Sequence, residues 1–187
     1  MKFRKIVILL LVLSLWGGTM LFADSANQRV RVIVNGSELD DQGLLVDGKT
    51  YLPLRQIANT LQSLVEWNDS ARRVSVYKPN VHMFLFQDKT IFGNVTRNSR
   101  PTFNVHAQVD SLKVDISAVK VTISDPGGRE TLIHEEEVTS QREDFWLPTK
   151  EIRYHFEASG KYTVRFYMKP AGSGDWAVVS EKTIVSK

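Results

Sequence analysis

The sequence predicts a small α+β unit, strands plus one helix, followed by an all-β sandwich. Three observations carry this. Val30, Val32 and Val34 alternate with Arg29, Arg31 and Ile33 ahead of an Asn-Gly turn. Leu54, Ile57, Ala58 and Leu61 stand at i, i+3, i+4 and i+7. Beyond Asn80 the helical period gives way to short alternating segments bounded by turn residues. A chain of 187 residues has room for two small domains of ordinary size.

Residues 1–26 are set apart from both. Lys2, Arg4 and Lys5 precede an apolar run from Ile6 to Trp16 broken only by Ser14, which is the charged and apolar pattern of an export signal. Leu21-Phe22-Ala23 is a loose small-x-small cleavage site, with Ala23 and Ala26 as alternative last residues. The short apolar run favours cleavage; retained, Ile6 to Ala23 is just long enough to stay as a membrane anchor. Three of the 24 basic residues and none of the 21 acidic ones precede Asp24, so the remainder carries equal numbers of each. No charge argument for nucleic acid follows, and membrane contact is expected only if the N-terminal segment is kept. Absence of cysteine excludes disulfides, thiol catalysis and thiolate metal sites. Export without cysteine suits a Gram-positive envelope protein.

Residues 28–78 make the first predicted domain. Asn35-Gly36 and Asp47-Gly48 are hairpin turns, because both central residues of such a turn need positive φ. Pro53 cannot donate to a sheet but suits a helix start, and the stripe from Leu54 to Leu61 is expected to lie on the sheet. Val65 and Trp67, then Val74 and Val76, form a closing hairpin around Asn68-Asp69-Ser70, with Trp67 expected in the core.

The stretches "VIVNGSEL", "GLLVDGKTYLPLRQIANTL" and "VEWNDSARRVSV" resemble the copper amine oxidase N-terminal-like, or stalk, domain. That family's pattern is a valine-rich strand with Asn-Gly, an Asp-Gly hairpin, Pro-Leu-Arg opening a helix, and a Val-x-Trp-Asp hairpin. "LQSLVEWN" departs from it, since the family usually has Leu-Gly-Ala before the strand and Asp after Trp. The resemblance implies a small appended module of extracytoplasmic proteins with no catalytic residues of its own. Copper and quinone belong to a separate catalytic domain of those oxidases, so no cofactor is expected. Arg55 is a candidate contact for an anionic wall polymer; the plainer expectation is that its stem covers apolar surface while its head pairs with Glu66 or Asp47.

Residues 80–187 make the second. Phe103 to Val109, Val119 to Ile123 and Tyr162 to Met168 alternate apolar with polar, and with "VHMFLFQ" and "WAVVSEKTIVSK" they give about seven strands, a spacing that argues for a β-sandwich. "EASGKYTVRFYM" is similar to the late hairpin strand of immunoglobulin-like domains, which implies that Tyr162 bonds the nearby backbone. The bacterial intracellular proteinase inhibitors share that fold, but export argues against that role.

No catalytic constellation is legible. His82, His106, His134 and His155 share no metal spacing, and "HEEE" at 134–137 reads as a solvated strand edge. Asp110, Asp115 and Asp125 lack a calcium-loop pattern, and Gly172-Ser173-Gly174 is a hairpin loop. Phe145-Trp146-Leu147-Pro148 is either an exposed apolar loop, with Phe145 and Trp146 as partner contacts, or a crossover plugging the sandwich. The expected function is a non-enzymatic, extracytoplasmic binding or scaffolding protein of the bacterial cell envelope, its partner a cell-wall polymer or another envelope protein. The alternatives are an accessory subunit or inhibitor of a secreted enzyme, and a metal-dependent enzyme with a junction site around His82, Glu66 and Arg72.

Overall fold

A computed structural model describes residues 28–187; the export-type segment 1–26 lies outside the described residues. No helix among the described residues is long and apolar enough to cross a membrane. The chain is mostly strand with one short helix, and it divides into two compact units, one ending at Leu54 and the other spanning Arg55–Lys187. Residues 28–78 therefore contribute to both.

In the first unit, β1 (Gln28–Val30), β4 (Gly43–Val46) and β5 (Lys49–Tyr51) form an antiparallel sheet, and β2 (Ile33–Val34) pairs β3 (Ser37–Glu38). The valine strand is thus interrupted at Arg31-Val32, because its two halves pair different partners. Its alternation survives the break, with Val32 buried and Arg31 and Ile33 exposed. Asn35-Gly36 and Asp47-Gly48 take positive φ at both residues, 52° and 81°, then 49° and 73°, as two-residue hairpins require. Gly43 is buried where a Cβ would meet Tyr51 O at 3.0 Å and Leu52 Cδ2 at 2.9 Å, so backbone proximity excludes a side chain there.

The second unit opens with helix α1 (Leu54–Thr60), preceded directly by Pro53. Its apolar stripe is only partly covered. Ala58 is buried, but Leu54 and Leu61 are 44% and 43% exposed, since one is the first residue of a two-turn helix and the other lies beyond its last. The helix ends in a Schellman motif: Ser63 N–H donates to Ala58 O (2.8 Å) and Gln62 N–H to Asn59 O (3.0 Å), with Gln62 in the left-handed region at φ 56°. Gln62 thus occupies the position where glycine is favoured. Lys78 closes the same end, its Nζ donating to Leu61 O at 2.7 Å, and burial lowers its pKa.

The hairpin β6 (Leu64–Asn68) and β7 (Arg73–Tyr77) corrects the expected parity. Leu64 and Tyr77 are the residues that pack with the core, so Trp67, three positions from Leu64, points the other way with Val65, Val74 and Val76. Trp67 is 55% exposed and not a core residue.

The remaining strands form two five-stranded sheets. One joins β10 (Asn94–Val95), β17 (Ala177–Ser186), β16 (Gly160–Pro170), β12 (Ile116–Ser124) and β13 (Glu130–Glu137) in that order; only β10 and β17 are parallel. The other joins β14 (Phe145–Pro148), β11 (Thr102–Asp110), β8 (Asn80–Gln87) and β9 (Thr90–Ile91), with β15 (Ile152–Arg153) on the start of β11. Phe103, Val105, Ala107 and Val109 from one sheet and Val119, Val121, Ile123, Val164 and Phe166 from the other share one buried core, as their alternation predicts. Tyr162 is buried with its hydroxyl accepting from Ala158 N–H (3.0 Å) and donating to Ala158 O (3.1 Å), the backbone bonds expected of it.

Two stability measurements follow. Gln62→Gly is expected to stabilise the second unit by about 0.5–1 kcal/mol in urea titrations, by relieving a left-handed side-chain position; unchanged or lower stability would show that Gln62 is unstrained. Tyr162→Phe should cost about 1–2 kcal/mol, because it strips two bonds from a buried turn, and a loss within error would mean that water replaces the hydroxyl.

Candidate functional site

Two concave surfaces of the second unit hold the candidate contact residues. The first is a groove of about 380 Å³ beside the β6–β7 hairpin. Arg55 from α1, Glu66 and Trp67 from β6, Arg73 from β7, and Asp175 with the Pro170–Ser173 turn line it. Arg73 stands opposite Asn68, and Glu66 opposite Ser75, across the hairpin.

Four charged side chains thus share one groove without pairing. Among the described residues, the ion pairs are Lys113–Glu143, Arg129–Asp125, His134–Glu136 and Arg165–Glu181. The expected pairing of Arg55 with a carboxylate is therefore not made: its guanidinium reaches the groove with neither ion pair nor hydrogen bond. Trp67 borders the groove from the strand whose opposite face carries Glu66, and its indole N–H donates to the Asp69 carboxylate. The turn that places Asp69 is held by Asn68, whose Oδ1 accepts from Ser70 Oγ and Ala71 N–H, both at 2.8 Å.

The opposite wall hangs from the β16–β17 end. Trp176 follows Asp175 and lies under two ammonium groups, Lys120 Nζ at 4.6 Å and Lys169 Nζ at 5.9 Å from its ring centroid. Lys120 also sits 4.6 Å from the Tyr167 ring. Tyr167 donates to Glu130 Oε1 at 2.7 Å, and Thr122 donates to the same oxygen. The Thr122 bond is the main reason that the Glu130 carboxyl titrates below the usual range. Burial, then the Glu130 bond, raises the Tyr167 pKa.

The second surface is a cleft of about 210 Å³ between β14 and the chain that follows β13. Phe145-Trp146-Leu147-Pro148 is neither loop nor plug: it is an edge strand paired to β11. Leu147 turns into the core and Phe145 packs against it, while Trp146 stands outward, 62% exposed. Glu136, Glu137 and Arg142 share the cleft, and Gln141 bonds both the N–H and the C=O of Ile116 (3.1 and 2.6 Å), fixing one wall.

The other titratable candidates are dispersed. His106 stacks edge-on against Phe86 at 5.0 Å, His155 Nε2 lies 2.7 Å from Asn98 Oδ1, and His134 Nε2 is 3.2 Å from Glu136. His82 faces Gln108 in the β8–β11 register, Glu66 lies in the groove, and Arg72 sits in the β6–β7 turn. Asp125 caps its own turn by accepting from Gly127 and Arg129 N–H, and Asp110 accepts from Gln108. No group of three His, Asp or Glu among the described residues is placed to hold a metal ion.

Arg73, Asp175 and Trp176 carry no sequence signal for this site, because a hairpin and a turn about a hundred residues apart meet only through the fold. Trp67 was expected in the core, and the parity of its strand places it outward instead. No curated protein matches the chain. Residues 33–94, which run from β2 to the start of β10, match the copper amine oxidase N-terminal domain.

Proposed function

We propose that this is a non-enzymatic, extracytoplasmic protein of the bacterial cell envelope, in which a stalk-like module and an immunoglobulin-like sandwich together bind or scaffold an envelope component, with a wall polymer as the leading partner. The observation that carries this is the open groove, where Arg55 and Arg73 form no ion pair or hydrogen bond, with Trp67 55% exposed on the other face of the same hairpin. Exposed guanidinium groups without protein partners and an outward tryptophan suit recognition of a surface polymer better than they suit the fold. The family match at 33–94 and the export-type amino terminus support the location. The immunoglobulin-like reading draws support from β10, which leaves the β8 side and runs parallel to the last strand, and from the Tyr162 corner.

Incubating the exported chain with purified Gram-positive cell walls and with envelope extracts is expected to retain it on walls. Recovery of all the protein unbound from every fraction would overturn the reading.

A second reading has its own observation. Trp146, outward on an edge strand beside an acidic cleft, fits an accessory or inhibitory contact with a secreted enzyme. Under that reading one secreted enzyme co-purifies with the wild-type chain from its host and is lost with Trp146→Ser. Equal recovery by both would remove Trp146 from the contact.

A further inference from the structure

We propose that the outward face of the β8–β11 sheet binds an uncharged saccharide chain, with sugar rings on Trp146 and Phe84 and hydroxyl groups on the Asn104, His106 and Gln108 side chains between them. This deepens the envelope-binding reading, naming a ligand class and a place on the sandwich.

The strand register puts these side chains on one face. Gln108 stands opposite His82 on β8 and Trp146 on β14, His106 opposite Phe84 and Pro148, and Asn104 opposite Phe86. Paired residues point the same way, and the intervening positions Met83, Leu85, Val105 and Ala107 are buried in the core. β11 therefore presents a polar spine of two amides and an imidazole, with Trp146 and Pro148 along one side and Phe84 and Phe86 along the other. Trp146 is 62% exposed, and the rest are exposed or half-buried. Beside the spine the surface hollows into a groove of about 390 Å³ lined by Phe86, Asn104 and His106.

The order of these groups selects the ligand. A protein contact has an apolar centre and a polar rim, whereas here the polar groups run down the middle. A pyranose ring has an apolar face for an aromatic ring and hydroxyl groups at its edge for amides. Charge points the same way. Ionised side chains stand only at the perimeter: Asp110 and Arg153 at the two ends of β11, and Asp88, Lys89 and Glu151 in the connections that bound the groove. The other sheet differs, since its outward Arg165 pairs with Glu181, and Lys120 and Glu130 both engage Tyr167.

The spine keeps bonding capacity for a ligand. Gln108 donates its amide N–H to Asp110 at 3.1 Å, which leaves its carbonyl oxygen as an acceptor. His106 is packed edge-on against Phe86 at 5.0 Å, so its ring is already oriented. Trp146 and Phe84 lie two strands apart, about 10 Å across the sheet, a span that two linked sugar rings cover.

The test is calorimetric titration of the exported chain with chitohexaose, cellohexaose and polygalacturonate. At least one of the two uncharged oligosaccharides should bind about tenfold more tightly than polygalacturonate, with affinity unchanged by salt. Trp146→Ala should weaken that binding at least about fivefold and Trp146→Tyr should restore most of the loss. Asn104→Ala should weaken it about fivefold, and Phe86→Leu, which keeps apolar volume but removes the ring, about threefold; Trp67→Ala should change nothing. The proposal is overturned if neither uncharged oligosaccharide binds, if polygalacturonate binds as tightly, or if Trp146→Ala and Asn104→Ala both bind like wild type. If walls retain the chain yet neither oligosaccharide binds, this site is wrong and the envelope reading stands; oligosaccharide binding without retention on walls keeps the site and overturns the envelope reading.

Discussion

The contact between Phe156 and Tyr162, ring centroids 4.8 Å apart, is the one on which the second unit depends. Phe156 also meets Tyr154 at 5.0 Å and Phe103 at 6.3 Å, and Phe103 meets Phe92 at 5.4 Å, so one train of rings runs from the chain after β9 across β11 to β16. These rings join the two sheets. A chain with no cysteine has no covalent staple, so interlocking of large buried rings must hold them instead. Phe156 further bridges Ser99 through its backbone, which ties the chain after β10 into the same point.

From that anchor, β16 carries order outward. Its buried positions, Tyr162 to Met168, face the core, and its outer positions, Arg165, Tyr167 and Lys169, carry the polar network. Arg165 links Glu181 at 2.6 Å and Ser124 at 2.7 Å, spanning three strands of the sheet. Lys120 lies between Tyr167 and Trp176 and thereby fastens the turn that follows β16. The wall that bears Asp175 is therefore positioned by the same strand that the aromatic train locks in place. Core packing and the geometry of the groove are one mechanical system.

What was legible in the sequence followed from local chemistry. Asn35-Gly36 and Asp47-Gly48 announced their hairpins because few residues tolerate their φ angles. The alternation of Phe103 to Val109 and of Tyr162 to Met168 announced buried strand faces because one-sided burial imposes a period of two. The hairpin at Trp67 was equally legible as strands, yet its parity was not: Val65 and Trp67 form as good an apolar set as Leu64 and Tyr77, and tertiary contact chose between them. Asp88-Lys89, with φ of 48° and 67°, makes a tight turn between β8 and β9 without glycine, so no composition signal marked it. Phe145 to Pro148 read as an exposed loop or a crossover plug because proline and adjacent aromatics obscure a four-residue edge strand, where proline is in fact tolerated.

The unpaired charges of the groove separate fold from function. A solvent-exposed ion pair contributes about 0–1 kcal/mol, so leaving Arg55, Arg73, Glu66 and Asp175 apart costs the fold almost nothing. The same groups closed over by a ligand would act in a drier setting, where each charge-assisted bond is worth about 1.5–3 kcal/mol. A groove built this way stores little strain and holds its interactions in reserve. The fold thus leaves these charges free at almost no cost to its own stability, while the buried ring train sets the position of the turn that bears Asp175.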